Sequence, residues 1–341
     1  MGASDPVPVG VGPGRRRRDL LGVIEIDEVG KGGAIVDEEN SGLSANALLR
    51  RGRGSETPIL LWKHFRIEDG TQLARRTVSF YREYRLAAAK LMPDIPILFA
   101  DHALSSWSQV AQLRSFGPIE SVGRAREYVH AVEVARHDLE DSELLLATVF
   151  SPLALVALWC GPQALREMVA GSRAEAHAVL GALAAMVGSL ASRCVEAGAN
   201  GIYYSCWGQD VLSGEEYREF GIPYDLAGLR GTELADVRFL HVHGALHGGV
   251  ERYADYPVEV VGWSEVESTV TLGEGAKVLA DKVIMGGIAE SLSASTVADG
   301  ARRVGELIEE LGPRFIAAPG CSLPDATDAD VLRELRAFVP G

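Results

Sequence analysis

Residues 237–247 read VRFLHVHGALH. Val237–Val242 is an almost unbroken apolar run, the pattern of a strand covered on both faces, as parallel sheets flanked by helices are. Working outward, similar runs occur at 58–62 (PILLW), 96–100 (PILFA), 144–150 (LLLATVF) and 201–205 (GIYYS). Three more follow at 258–263 (VEVVGW), 282–286 (KVIMG) and 314–318 (RFIAA). Between them lie stretches of helical period, including 70–91, 174–197, 213–230 and 293–311. Strand alternating with helix implies parallel pairing through right-handed crossovers. Eight such units predict an α/β protein, a closed (β/α)8 or TIM barrel, with an open doubly wound sheet as the structural alternative. No GxGxxG follows the first run, which speaks against a dinucleotide-binding version.

The chain has 341 residues, which suits one barrel of about 250 residues with extensions. Residues 1–43 are rich in Gly, Pro and charge and include Arg15–Arg18; they read as a partly flexible N-terminal extension. The barrel domain is expected over 44–341, with Ser44 capping a first short helix. A net charge of −14 and a pI near 5.1 exclude nucleic acid and anionic membrane surfaces as general partners. The four cysteines form no CxxC and no disulfide framework. No membrane span is expected, and the apolar stretch after Arg15–Arg18 is broken by Glu25, Asp27 and Glu28, too short for a secretion signal. A cytoplasmic enzyme is therefore the expectation.

In an α/β barrel the chemistry sits at the C-terminal strand ends and in the loops beyond them. The first run is followed by Lys63, His64 and Arg66, with Trp62 closing the run, and the second by Asp101 and His102. The fourth contributes Tyr203 and Tyr204 and leads to Cys206, Trp207 and Gln209. The fifth carries His241 and His243, the sixth leads to Glu265, and the eighth to Cys321. His241 and His243, two apart in a strand, share a face. With Cys321 and Glu265 they make a set of two imidazoles, a thiolate and a carboxylate, which suits zinc better than magnesium. The plainer readings are a histidine pair that hydrogen-bonds substrate or backbone, and a cysteine packed in a turn. Asp101 reads either as a catalytic acid or base, with His64 as a basic partner, or as a helix cap. Trp62, Lys63, His102, Tyr203, Tyr204, Cys206, Trp207 and Gln209 are the substrate-binding candidates.

At these residues the chain resembles the uroporphyrinogen decarboxylase superfamily, which includes zinc-dependent corrinoid:thiol methyltransferases and is related to the catalytic barrel of cobalamin-independent methionine synthases. The resemblance spans residues 44–340. It rests on TPILLWKHF (57–65), PDIPILFADH (93–102), the 201–223 segment with SCW and LSGEEYREFGIP, and on LHVHG, MGGI and APGCSLP in the C-terminal third. The decarboxylases carry an arginine-rich MRQAGR after the first strand, where this chain has WKHFRIEDG, so the resemblance is closer to the methyltransferase branch. That branch has HxC after the fifth strand and Cys after the eighth; here His243 stands at the first cysteine and Cys321 at the second. The resemblance implies Zn2+ at His241, His243 and Cys321, with Glu265 at the position of a ligand glutamate. It further implies methyl transfer to or from a thiol of a small molecule, a corrinoid or corrinoid protein as methyl donor, and a homodimer. The alternative is a metal-independent decarboxylase or lyase that uses Asp101 on a carboxylate substrate.

Overall fold

The structure, a computed structural model, describes residues 57–97 and 104–339. Its centre is a seven-stranded, all-parallel sheet in sequential order. The strands are β1 (Ala89–Leu91), β2 (Leu145–Phe150), β3 (Gly201–Cys206), β4 (Val237–Val242), β5 (Val260–Trp263), β6 (Val283–Ile288) and β7 (Phe315–Pro319). The last six coincide, within two residues at either end, with runs read from the sequence. Residues 58–63 are tied to β7 by the bridge Ile59–Ala317 and to the loop beyond it by the bridge Lys63–Leu323. On their other side Ala87 N donates to Ile59 O at 2.8 Å.

The PILFA expectation is corrected in position: the strand after the first run is AKL at 89–91, residues 96–97 are not in a strand, and residues 98–100 of that run lie outside the described residues. Ala89 pairs with Leu145 and Leu91 with Ala147, so register with β2 overrides the weak strand preference of alanine and lysine. The helix expected over 70–91 likewise stops at Glu83. Arg85 is left-handed (φ 50°), and Leu86 N reaches back to Tyr81 O at 3.0 Å, which closes the helix and frees the chain for β1. The 213–230 helix is two helices, Gly214–Phe220 and Ile222–Leu229, separated at Gly221 just before Pro223. A capping box between Ser213 and Glu216 starts the first of them.

Side-chain alternation along the strands builds two apolar layers. Leu60, Trp62, Leu146, Tyr203, Val237, Phe239, Val260, Val283, Met285, Ile316 and Ala318 form an inner cluster on the concave side of the curled sheet. The opposite row, including Ile202, Tyr204, Leu240, Val261, Ile284 and Ala317, packs outward with the helices. Helix Arg173–Glu196 is long and apolar enough by composition to cross a membrane, yet 56% of its most apolar window is buried inside the protein. The expected N-terminal extension and the Ser44 helix lie outside the described residues.

Helix Arg173–Glu196 meets the turn at Arg230–Thr232 through Gly188 and Gly231. A Cβ on Gly231 would lie 2.0 Å from the carbonyl oxygen of Gly188. Backbone cannot step aside as a side-chain tip can. Gly231→Ala is expected to lower stability by about 2 kcal/mol, read as a lower denaturant midpoint at unchanged slope; an unchanged midpoint would contradict this packing.

Candidate metal centre

β4 decides which side chains face the concave side. Val237, Phe239 and His241 form its inward row, and His241 sits where that row leaves the apolar floor. It is opposite Ser205 of β3 and Gly262 of β5, and Gly262 contributes no side chain against the ring. His243 continues the same row just past the strand. Its N–H donates to Cys206 O at 2.9 Å, and its carbonyl accepts from Gln209 Nε2 at 2.7 Å. Trp207 meets the His243 ring edge-on at 4.7 Å between centroids. Gly244 then turns the chain away with φ 82°, a conformation glycine adopts without a side-chain penalty.

Cys321 arrives from β7 on a loop pinned at both ends. Gly320 N donates to Ile288 O at 3.2 Å, and Leu323 N donates to Trp62 O at 3.0 Å. Gly320 is needed for the approach: a Cβ there would lie 2.4 Å from both Ser264 Cα and Glu290 Oε1. The Cys321 Sγ comes to rest 3.3 Å from His243 Nδ1. One ligand atom from each of His241, His243 and Cys321 lies within 4.8 Å of the others.

The electrostatics suit a soft cation. Burial lowers the pKa of His241, against the opposing effect of Cys321, and also that of His243, against Asp210, Glu267 and Glu290. Both imidazoles are thus neutral and have a lone pair to offer. For Cys321 burial is the largest single influence and pushes the thiol up. His241 and Ser322 together outweigh it and hold the thiol below its ordinary value. His241 Nδ1 is buried with no hydrogen-bond partner among the described residues. Such an orphaned atom is costly unless something unseen satisfies it. Zinc held at about 2.0–2.3 Å by N and S ligands in a tetrahedron would need those ligands about 3.3–3.8 Å apart. Small side-chain movements separate this cluster from that spacing, so the three residues fit a zinc ion.

The cluster opens into a cavity of about 310 Å³ lined by, among others, Trp62, His64, Lys90, Met92, Phe150 and Trp207. Lys90 was not foreseen. It projects inward from β1 with its Nζ 4.0 Å from the centroid of Tyr203 and 5.0 Å from that of Trp62, and 2.9 Å from Met92 Sδ. Burial lowers its pKa from 10.5 to about 7, despite Cys321 and Asp94. The available signal was one charge inside the apolar stretch LAAAKLM at 86–92, masked by assigning the second strand a few residues too late. Asp94 was also missed: its carboxylate accepts from His64 and from two backbone amides.

The structure brings His241, His243, Cys321, Trp62, His64, Tyr203 and Trp207 to one cavity. Others it places elsewhere. Tyr204 and Cys206 belong to the outward row of β3 and are buried on the helix side of the sheet, the strand period putting them opposite Tyr203 and Ser205. Near them Asp225 accepts from Tyr217 and Tyr256 at 2.8 and 2.9 Å. Lys63 donates to Asp325 O at 2.7 Å, and Gln209 braces the His243 backbone, so neither lines the cavity. Glu265 stands apart from the metal cluster. Arg303 donates to both of its carboxylate oxygens, at 2.6 and 2.9 Å, and the carboxylate also accepts from Leu272 N at 2.9 Å. Asp101 and His102 lie outside the described residues.

This is a cavity with a convergent His, His and Cys set on a parallel α/β sheet. The uroporphyrinogen decarboxylase (URO-D) family profile matches residues 71–340, and the chain belongs to that family. A methyltransferase from Methanosarcina mazei has a similar structure at 14% identity and a TM-score of 0.70, over 87% of this chain and 97% of that one. A candidate vitamin-B12-independent methionine synthase from Listeria monocytogenes matches at 12% identity and a TM-score of 0.53, over 83% of this chain and 94% of that one. Among curated proteins none matches this chain.

The Lys90 environment has a measurable consequence. Its pKa is about 7 in the folded protein and near 10.5 in the unfolded chain, so between these values the unfolded state binds more protons. Stability therefore rises with pH across that window, and the cost of burying the ammonium is fully present below it. Lys90→Met should be more stable than the wild type at pH 7, and the gap should shrink toward pH 10 by roughly 3 kcal/mol. Denaturant midpoints of the two proteins at both pH values measure this; a gap independent of pH would show that Lys90 is solvated.

Proposed function

We propose that this protein is a zinc-dependent transferase that moves a methyl group to or from the sulfur of a small-molecule thiol. The observation that carries the reading is the convergence of His241, His243 and Cys321 beside an organic-sized cavity. In this reading residues 59–63 serve as the first strand of a closed eight-stranded barrel, and Cys321 reaches His243 from the eighth. Two neutral imidazoles and one thiolate would hold the ion and leave a fourth position open. The bound metal would supply the Lewis acidity that lets a thiol lose its proton near neutral pH. With one thiolate in place of two, the centre is a harder acid than a two-cysteine site.

The protein's own groups shape the rest of the site. Trp62, Tyr203 and Trp207 form aromatic walls that exclude water and hold an organic acceptor near the three ligands. Lys90 sets a cation at the inner side of the cavity, where it can pair with a charged group of that acceptor. Similarity of fold to a methyltransferase and to a candidate methionine synthase supports methyl transfer as the reaction class. A corrinoid, free or on a carrier protein, is the methyl donor this reading favours.

Elemental mass spectrometry of the purified protein tests the reading directly. About one zinc per chain is expected, falling to near zero in His241→Ala and in Cys321→Ala. Glu265→Gln should keep its zinc, because that carboxylate is committed to Arg303 and the Leu272 amide. Absence of metal after reconstitution with zinc would overturn the reading, and zinc loss in Glu265→Gln would return that residue to the ligand set.

A further inference from the structure

Outside the three candidate ligands, the cavity wall holds a second constructed arrangement. His64 Nδ1 lies 2.5 Å from Asp94 Oδ1. The Asp94 side chain is 1% exposed, against 29% for His64. Its other oxygen accepts from the backbone amides of Phe65 at 2.7 Å and Arg66 at 3.0 Å. The local chain is bent to achieve this: Arg66 is left-handed (φ 57°), one of only two non-glycine residues with positive φ among the described residues. A side-chain-bearing residue held there stores backbone strain, and such strain is retained where a specific geometry is wanted. Here it turns two successive amides and an imidazole toward one buried carboxylate.

A carboxylate accepts only, so the imidazole is its donor through Nδ1–H. The neutral ring is thereby fixed with its lone pair on Nε2, which has no partner among the described residues, while the ring lines the cavity. An imidazole oriented by a buried carboxylate, with the opposite nitrogen free toward a ligand cavity, is the arrangement of a general base.

We infer that the His64–Asp94 pair receives the proton of the acceptor thiol, with His64 as the base and Asp94 as its positioning residue. The inference rests on the thiol reading above. The S–H bond breaks, the electron pair stays on sulfur, and the proton passes to His64 Nε2. The resulting imidazolium is held against Asp94. The other cavity groups do not fill this role. His241, His243 and Cys321 are assigned to the metal, and Arg66 pairs with Asp325 and stays protonated. Lys90 lines the same cavity, but its amine is held among Trp62, Tyr203 and Met92.

The test counts protons and needs no knowledge of the natural substrate. 3-Mercaptopropionate is titrated into zinc-loaded full-length protein by calorimetry at pH 7.5, in HEPES and in Tris, whose ionisation enthalpies differ. The same titration on cobalt-substituted protein reports sulfur ligation through a near-ultraviolet sulfur-to-cobalt band. The wild type should release far less than one proton to buffer per thiol bound, because His64 keeps it. His64→Gln and Asp94→Asn should keep their metal and the sulfur band but release close to one. Full proton release by the wild type, with the band present, overturns the role of the pair. Wild-type retention that persists in Asp94→Asn removes Asp94 from it. No sulfur band in wild-type protein that holds cobalt overturns the thiol reading itself, and this proposal with it.

Discussion

Two backbone hydrogen bonds, Gly320 N to Ile288 O and Leu323 N to Trp62 O, hold the loop on which the candidate centre depends. Cys321 lies between them. One bond anchors the loop to β6, the other to the segment at 58–63, so the thiol is placed by main chain rather than by side-chain packing. His241 and His243 are placed by another main-chain constraint, the parallel ladder of β4 with β3 and β5. A candidate ligand set spread over β4 and the loop after β7 is thus fixed by main-chain hydrogen bonds. A one-residue slip of β4 would turn both histidines to the helix side.

The same constraint explains what was legible in the sequence. Six strands could be read because Val, Ile, Leu and Phe concentrate where a strand is buried on both faces. That His241 and His243 share a face followed from their spacing of two; that the face is the inner one is set by the sheet. Cys321 was placed at the rim simply because it follows an apolar run. What could not be read were features set by partners far along the chain. β1 is an AKL segment whose strand state comes from pairing with Leu145–Ala147, not from its own preference. Placing that strand at 96–100 hid Lys90 and gave Asp94 no role. Tyr204 and Cys206 show how parity decides: they flank Ser205, and it is Ser205 that reaches the cavity. Glu265 shows a different limit, since nothing local to it reveals that Arg303, 38 residues on, claims its carboxylate.

The cavity is unusual in how it distributes charge. Its histidines are kept neutral by burial, and its thiol is kept below the ordinary cysteine range by His241 and Ser322. Lys90 has two aromatic faces and a thioether for company, with no carboxylate within hydrogen-bonding distance among the described residues. Among the described residues no carboxylate lines the cavity, and Asp94, behind His64, is already engaged by two amides and an imidazole. The inner part of the site is therefore rich in donors and cation-ready groups and poor in anions.

That imbalance has a direction. A divalent ion held by one thiolate would carry a net positive charge, and a protonated Lys90 would add another in a poorly solvated space. Such charges are tolerated in a protein interior when a counter-charge arrives with a ligand. A ligand that brings a thiolate together with a second anionic group would balance both charges, one beside the histidines and one beside Lys90. A neutral thiol would balance only the first. Burial of Lys90 against Trp62 and Tyr203 makes the distinction sharper, because buried charges are screened less. Selectivity in this reading would therefore come less from the metal than from a lysine buried on β1.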